Sequence, residues 1–189
     1  MHGVMRGYIG AVDAVNYRVG RMIMYGIFAL MGVLLWSSIS KTFFTPTLWT
    51  LEMAQFLMVG YYILGGPYSI QMGSNVRMDL LYGGWSVRRK AWFDIFTVCL
   101  LIFYLCVLLY GALGSTAYSL GYWKTEPVSY LFGVAIGTEE VGRLERSSSA
   151  WRPYMWPIKT VMILGFFLMI LQCLSELCKD VLRLRGESV

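Results

Sequence analysis

Residues 73–90 read GSNVRMDLLYGGWSVRRK, a basic interval with long apolar runs on both sides, and its reading decides how the chain is arranged. Two apolar runs precede it, residues 22–39 and 48–72, and two follow it, residues 91–117 and 154–178. Arg77, Arg88, Arg89 and Lys90 stand in the interval against Asp79 alone, so it is cationic. Gly83-Gly84 interrupts any helix there, Trp85 supplies an anchor for a membrane–water interface, and Ser86 is a suitable N-cap for a helix starting at Val87. Such an interval reads as a short amphipathic elbow on the cytoplasmic side of a membrane.

The composition agrees. The chain has 189 residues, of which 57% are hydrophobic and 14% charged, with a mean hydropathy of +0.57. Soluble domains average about 45–50% apolar and about 25% charged. Water is therefore not the main solvent. The net charge of +5 does not mark a nucleic-acid binder, because the cations cluster at the ends of apolar runs instead of forming a basic stripe.

Counted on alternate sides of the four runs, the N-terminus, elbow and C-terminus hold ten Lys and Arg, the two other connections hold five, and Lys159 lies within the last run. The positive-inside rule then predicts both termini and the elbow in the cytoplasm. The expectation is an all-α integral membrane protein, a single membrane domain over residues 1–189 with four transmembrane helices and an external loop over residues 118–153. The second run is about 37 Å long as a helix, enough to cross a hydrocarbon core of about 30 Å with tilt. Gly65-Gly66-Pro67 is expected to bend it. In the third run, Gly111 and Ser115 form a small-x-x-x-small pair suited to close helix approach. For residues 1–21, the recurrence of Tyr8, Val12, Val15 and Val19 leaves open an amphipathic helix on the membrane surface or an irregular tail.

Few residues offer chemistry. His2 is the only histidine, and Cys99, Cys106, Cys173 and Cys178 lack C-x-x-C spacing, so no catalytic residue, substrate site, metal or cofactor is expected. Two charges lie inside runs at matching depth, Glu52 on the second and Lys159 on the fourth. A lone charge at mid-bilayer costs at least about 2.5–3.5 kcal/mol on insertion scales, so these two are expected to pair or to meet another subunit. The alternative is that Lys159 snorkels outward and Glu52 is neutral or wetted. Trp151 and Trp156 join Trp85 as interfacial anchors.

Three stretches together resemble the DctQ-like small membrane subunit of tripartite ATP-independent periplasmic (TRAP) transporters. They are Glu52 near the start of the second run, the elbow with Asn75, Arg77, Asp79, Trp85, Arg88 and the following Asp94, and the last run with its W-x-P, W-P-x-K and L-Q-x-x-x-E elements. Asn75 departs from the pattern, which has histidine there, and asparagine does not titrate near neutral pH. The resemblance implies a subunit of the bacterial inner membrane, surrounded by lipid, that braces a large multi-span carrier (DctM-like). It also implies a periplasmic binding protein (DctP-like) that delivers an organic acid for sodium-coupled uptake. On that reading Glu139, Glu140, Arg143, Glu145 and Arg146 of the external loop are the candidate docking rim. Two rivals are a small homo-oligomeric channel or exporter, and a four-span membrane thiol oxidoreductase using the four cysteines.

Overall fold

A computed structural model describes residues 2–73, 87–123 and 126–184 of the chain. Within them the helices are α1 (His2–Met24), α2 (Gly26–Phe43), α3 (Thr50–Gln71), α4 (Val87–Ser119), α5 (Pro127–Ile136) and α6 (Trp156–Leu184). The nearest approach to a strand among the described residues is an isolated antiparallel bridge between Arg146 and Tyr154.

Residues 2–24 are helical, and α1 passes into α2 with only a joint at Tyr25. That residue keeps helical dihedrals (φ −72°, ψ −12°). Its N–H donates to Met22 O and its carbonyl accepts from Phe28 N, so the helix turns without ending. After α2 the chain becomes extended at Phe44 and passes Pro46, and Thr50 closes the hairpin into α3 by hydrogen-bonding to Ser37 Oγ at 3.1 Å and to Thr47. α3 continues through Pro67, which is buried, for a further turn. A proline in a helix leaves the carbonyl four residues earlier without its donor. Here that carbonyl is Ile63 O, and it lies against α6 at Gly165, where a Cβ would stand 3.1 Å from it and overlap Ile63 Cγ2. Gly66 meets Met169 of the same helix. The proline on α3 and the glycine on α6 thus face each other at one tight crossing.

α2 packs on α3, α3 on α6 and α6 on α4, giving a row, while α1 lies across α3 and α6. α3 and α6 run in the same direction, because Ile63 meets Gly165 and Gly66 meets Met169 in matching order. Tyr68 packs so closely on α1 that Gly20 is the residue that fits beneath its ring, and Tyr17 stands 5.9 Å from that ring. The row, with only α1 laid across it, leaves much apolar surface uncovered. Phe28, Leu34, Leu35 and Trp36 of α2 are exposed, as are Phe96, Leu100, Phe103 and Tyr110 of α4. So large an apolar surface is stable only against lipid or another protein.

Three stretches, Met5–Phe43, Trp92–Ser119 and Trp156–Leu182, are long and apolar enough to cross a membrane. α3 is not among them. Its 22 residues suffice in length, but Glu52, Gln55, three glycines and Gln71 dilute its hydropathy. It is flanked on both sides, by α2 and by α6, and so needs less apolar surface of its own.

Candidate functional site

Polar groups collect at the two ends of the row. At the end formed by the C-terminus of α4 and the N-termini of α3 and α6, the connection between α4 and α6 folds into a small cap. Its helix α5 begins with Pro127, whose missing N–H costs nothing in a first turn, and ends at Gly137 in the left-handed region (φ 85°). Tyr130 of α5 is buried, stacks on Tyr122 with centroids 4.3 Å apart, and its hydroxyl lies within hydrogen-bond reach of Leu120 O and Glu140 O. The chain then returns to α4, where Gly142 N donates to Leu120 O and Glu145 N to Ser119 O, both at 2.9 Å. Gly121 (φ 92°) faces the Gly142–Arg143 backbone so closely that a Cβ there would stand 2.6 Å from Arg143 N.

Two ionisable residues hold the rest of the cap. Lys159 Nζ pairs with Glu145 Oε2 at 2.5 Å and donates to Ser115 O at 3.2 Å, joining the loop to α6 and α4. Glu52 Oε1, on α3, accepts from Ser147 Oγ at 2.8 Å. Ser147 Oγ in turn accepts from Ser149 N, and Ser149 Oγ from Arg152 N. Glu52 and Lys159 therefore take separate partners and do not pair with each other within the chain. Glu52 is buried, and its Oε2 has no partner among the described residues. Replacing Glu52 with leucine is expected to release the serine turn. A hydrogen bond to a charged group contributes about 1.5–3 kcal/mol, so trypsin should cut the detergent-solubilised variant after Arg146 at least about tenfold faster than the parent. Glu52→Gln, which keeps an acceptor, should change the rate far less.

Between this turn and the end of α4 lies a cleft of about 790 Å³, lined by Tyr118, Trp123, Arg143, Glu145, Arg146, Arg152 and Tyr154 among others. The Arg146 guanidinium hydrogen-bonds the Tyr154 hydroxyl and lies 4.4 Å from the centre of its ring. Arg152 has φ 51°, the one positive-φ non-glycine among the described residues.

The second polar group joins α1, α3 and α6 at the other end. Asp13 is its hub. Asp13 Oδ1 accepts from Gln172 Nε2 and Ser175 Oγ, each at 3.0 Å, and Oδ2 pairs with Lys179 at 2.7 Å. The Asp13 carbonyl accepts from Gln71 Nε2 of α3. Asn16 donates to Gln172 Oε1 at 2.7 Å, Lys179 also pairs with Glu176, and Tyr8 donates to Leu171 O. The sequence pattern does not assemble this group, whose members lie on three helices far apart in the chain.

The sequence-derived rim residues divide. Arg143 and Arg146 line the cleft, Glu145 turns to Lys159, and Glu139 and Glu140 are exposed just beyond the C-terminus of α5. Trp151 and Trp156 are exposed near the cap. Arg88 is in the first turn of α4, while Asn75, Arg77, Asp79 and Trp85 lie outside the described residues. The four cysteines are free, Cys99 and Cys106 exposed and Cys173 buried. α5 itself was not foreseen, although Val128, Phe132 and Ile136 at steps of four, between Pro127 and Gly137, were its signal.

Residues 30–183 match the model of the DctQ component of the tripartite ATP-independent periplasmic transporters. The chain belongs to this DctQ family. It is thus a small membrane component of a TRAP-type transporter, of a family that supplies transporter parts and not enzymes, and a multi-pass membrane protein. No curated protein and no solved structure matches the chain. The match to the DctQ family takes in α3, α4, α5, α6 and most of α2, and so includes Glu52, Lys159 and the whole cap, but it stops short of α1.

Proposed function

We propose that this DctQ component is a brace for a large multi-span carrier subunit in the bacterial inner membrane, and that the carrier, not this chain, moves the cargo. The observation that carries the reading is the open row of helices. A row of helices with α1 across part of one face and apolar side chains on its remaining surfaces is suited to lie along a larger membrane protein. In this reading α3 is a fourth span, since 22 residues give about 33 Å of helix against a core of about 30 Å. Both termini and the elbow face the cytoplasm, and the cap faces outward as a docking surface for a periplasmic binding protein, with Glu139, Glu140, Arg143 and Arg146 at its rim. Glu52, with a free buried oxygen, is a candidate contact for the carrier. The energy source is a sodium gradient and the cargo an organic acid.

Reconstitution tests this. Vesicles holding the carrier, the binding protein and this chain should take up labelled organic acid when a sodium gradient is imposed, and vesicles lacking the chain should lose nearly all uptake. Unchanged uptake without it would refute the brace. Purification in mild detergent should bring the carrier down with the chain, whereas homo-oligomers alone would favour a channel. A reporter fused at Arg143 should read outside the cytoplasm.

A further inference from the structure

We propose that the cleft bounded by Arg143, Arg146 and Arg152 binds a small di- or tricarboxylate from solution. The inference goes beyond the bracing role and does not depend on it, but it claims Arg143 and Arg146 of the proposed docking rim for a small ligand, and an acidic peptide separates the two uses.

The charge of the cleft is one-sided. Glu145 is the one acid among the lining residues, and that carboxylate is committed to Lys159 at 2.5 Å. Among the described residues, none of the three guanidiniums has a carboxylate within 4.0 Å. Guanidinium forks bind carboxylates through paired N–H···O bonds, and several such forks around one space favour a ligand with more than one carboxylate. The cleft, about 790 Å³ and open to solvent, has ample room for such a ligand.

The Arg146 side chain and the Arg152 backbone are also held in place before any ligand arrives. Arg146 is fixed against Tyr154 by its hydrogen bond and by stacking, and its backbone is bridged to that of Tyr154. Arg152 occupies a left-handed backbone conformation that a side chain with a Cβ disfavours, at the end of the serine turn fastened to Glu52. Fold stability alone would be served better by glycine at that position, because glycine adopts positive φ without a steric penalty. What arginine adds there is a third cation facing the cleft. Tyr118 and Trp123, with ring centroids 4.7 Å apart, also line the cleft.

The experiment is calorimetric titration of the full-length chain in neutral detergent at low salt, with citrate, succinate, inorganic phosphate and a hexa-aspartate peptide as probes. Citrate or succinate should bind, and affinity should fall as salt is raised, since the site is open to solvent. Arg146→Gln and Arg152→Gly should each weaken binding at least tenfold. Arg152→Gly is informative because it suits the backbone and should leave the melting temperature unchanged or higher, so lost affinity there is not lost folding. Glu139→Gln, outside the cleft, should leave affinity within twofold. The proposal is overturned if neither acid binds, or if the arginine variants bind as the parent does. Phosphate binding more tightly than both acids would overturn the assignment to carboxylates. Hexa-aspartate binding where the free acids do not would overturn it in favour of a surface for an acidic protein.

Discussion

Gly165→Leu is expected to separate α3 from α6 and to lower the stability of the detergent-solubilised chain by about 3 kcal/mol, the upper end of what overpacking usually costs. A Cβ at Gly165 meets Ile63 Cγ2, attached directly to the Ile63 Cβ and unable to swing clear, and then the Ile63 carbonyl, which is main chain. Neither neighbour yields without moving a helix. Gly165→Ala should show a smaller loss in the same direction. Gly111→Leu is the control: nothing lies within 4 Å of its Cβ position and the residue is exposed, so its melting temperature should stay near that of the parent. Equal melting temperatures for Gly165→Leu and Gly111→Leu would show that the α3–α6 crossing is not the tight contact described.

Asp13→Ala should be comparably damaging, by about 2–3 kcal/mol, for a different reason. Removing this carboxylate leaves Gln172 Nε2 and Ser175 Oγ short of an acceptor and strips Lys179 of one of its two counter-ions. An abandoned partly buried donor costs more than its bond contributed, because the group has lost water as well as its partner. Lys179 and Asp13 remain 14% and 22% exposed, which places the cost below that of a fully buried pair. Three observations check this. Asp13→Asn, which retains one acceptor oxygen, should fall between parent and Asp13→Ala. Asp13→Ala combined with Lys179→Met should recover part of the loss. Amide exchange should rise through α1 before it rises in α3 or α6, since Asp13 ties α1 to both.

Much of the fold is legible in the sequence. Apolar length and the placement of arginine and lysine mark α2, α4 and α6 plainly, because a helix in lipid must satisfy its own backbone and cover itself with apolar side chains. α3 was legible by length but reads weakly by hydropathy, since its neighbours supply the cover. Gly111 and Ser115 have spacing that permits close approach, but within this chain nothing packs on Gly111, and tight glycine contacts occur at Gly165 and Gly66. The difference is physical: a small pair permits approach, but only a facing surface such as the carbonyl freed by Pro67 makes approach useful. Glu52 and Lys159 stand out in the sequence as charges inside apolar runs, and the expected pairing of the two does not occur within the chain. Their partners, Ser147 and Glu145, sit in the connecting loop, and no periodicity reports how a loop folds back. The Asp13 group escaped notice for a similar reason, as it is assembled from three helices far apart in sequence.

The matched direction of α3 and α6 has a mechanical consequence. At one end the pair is linked through the cap, by Glu52 to Ser147 and by Lys159 to Glu145, and at the other through Asp13, which receives Gln71 from one helix and Gln172 from the other. Sliding one helix past its neighbour by a single residue, about 1.5 Å, would shear both fastenings together and drag Ile63 across Gly165. The pair behaves as a ladder with fixed rungs, so spin labels at Met58 and Leu164 should report one unvarying separation while any moving companion changes its distance to both.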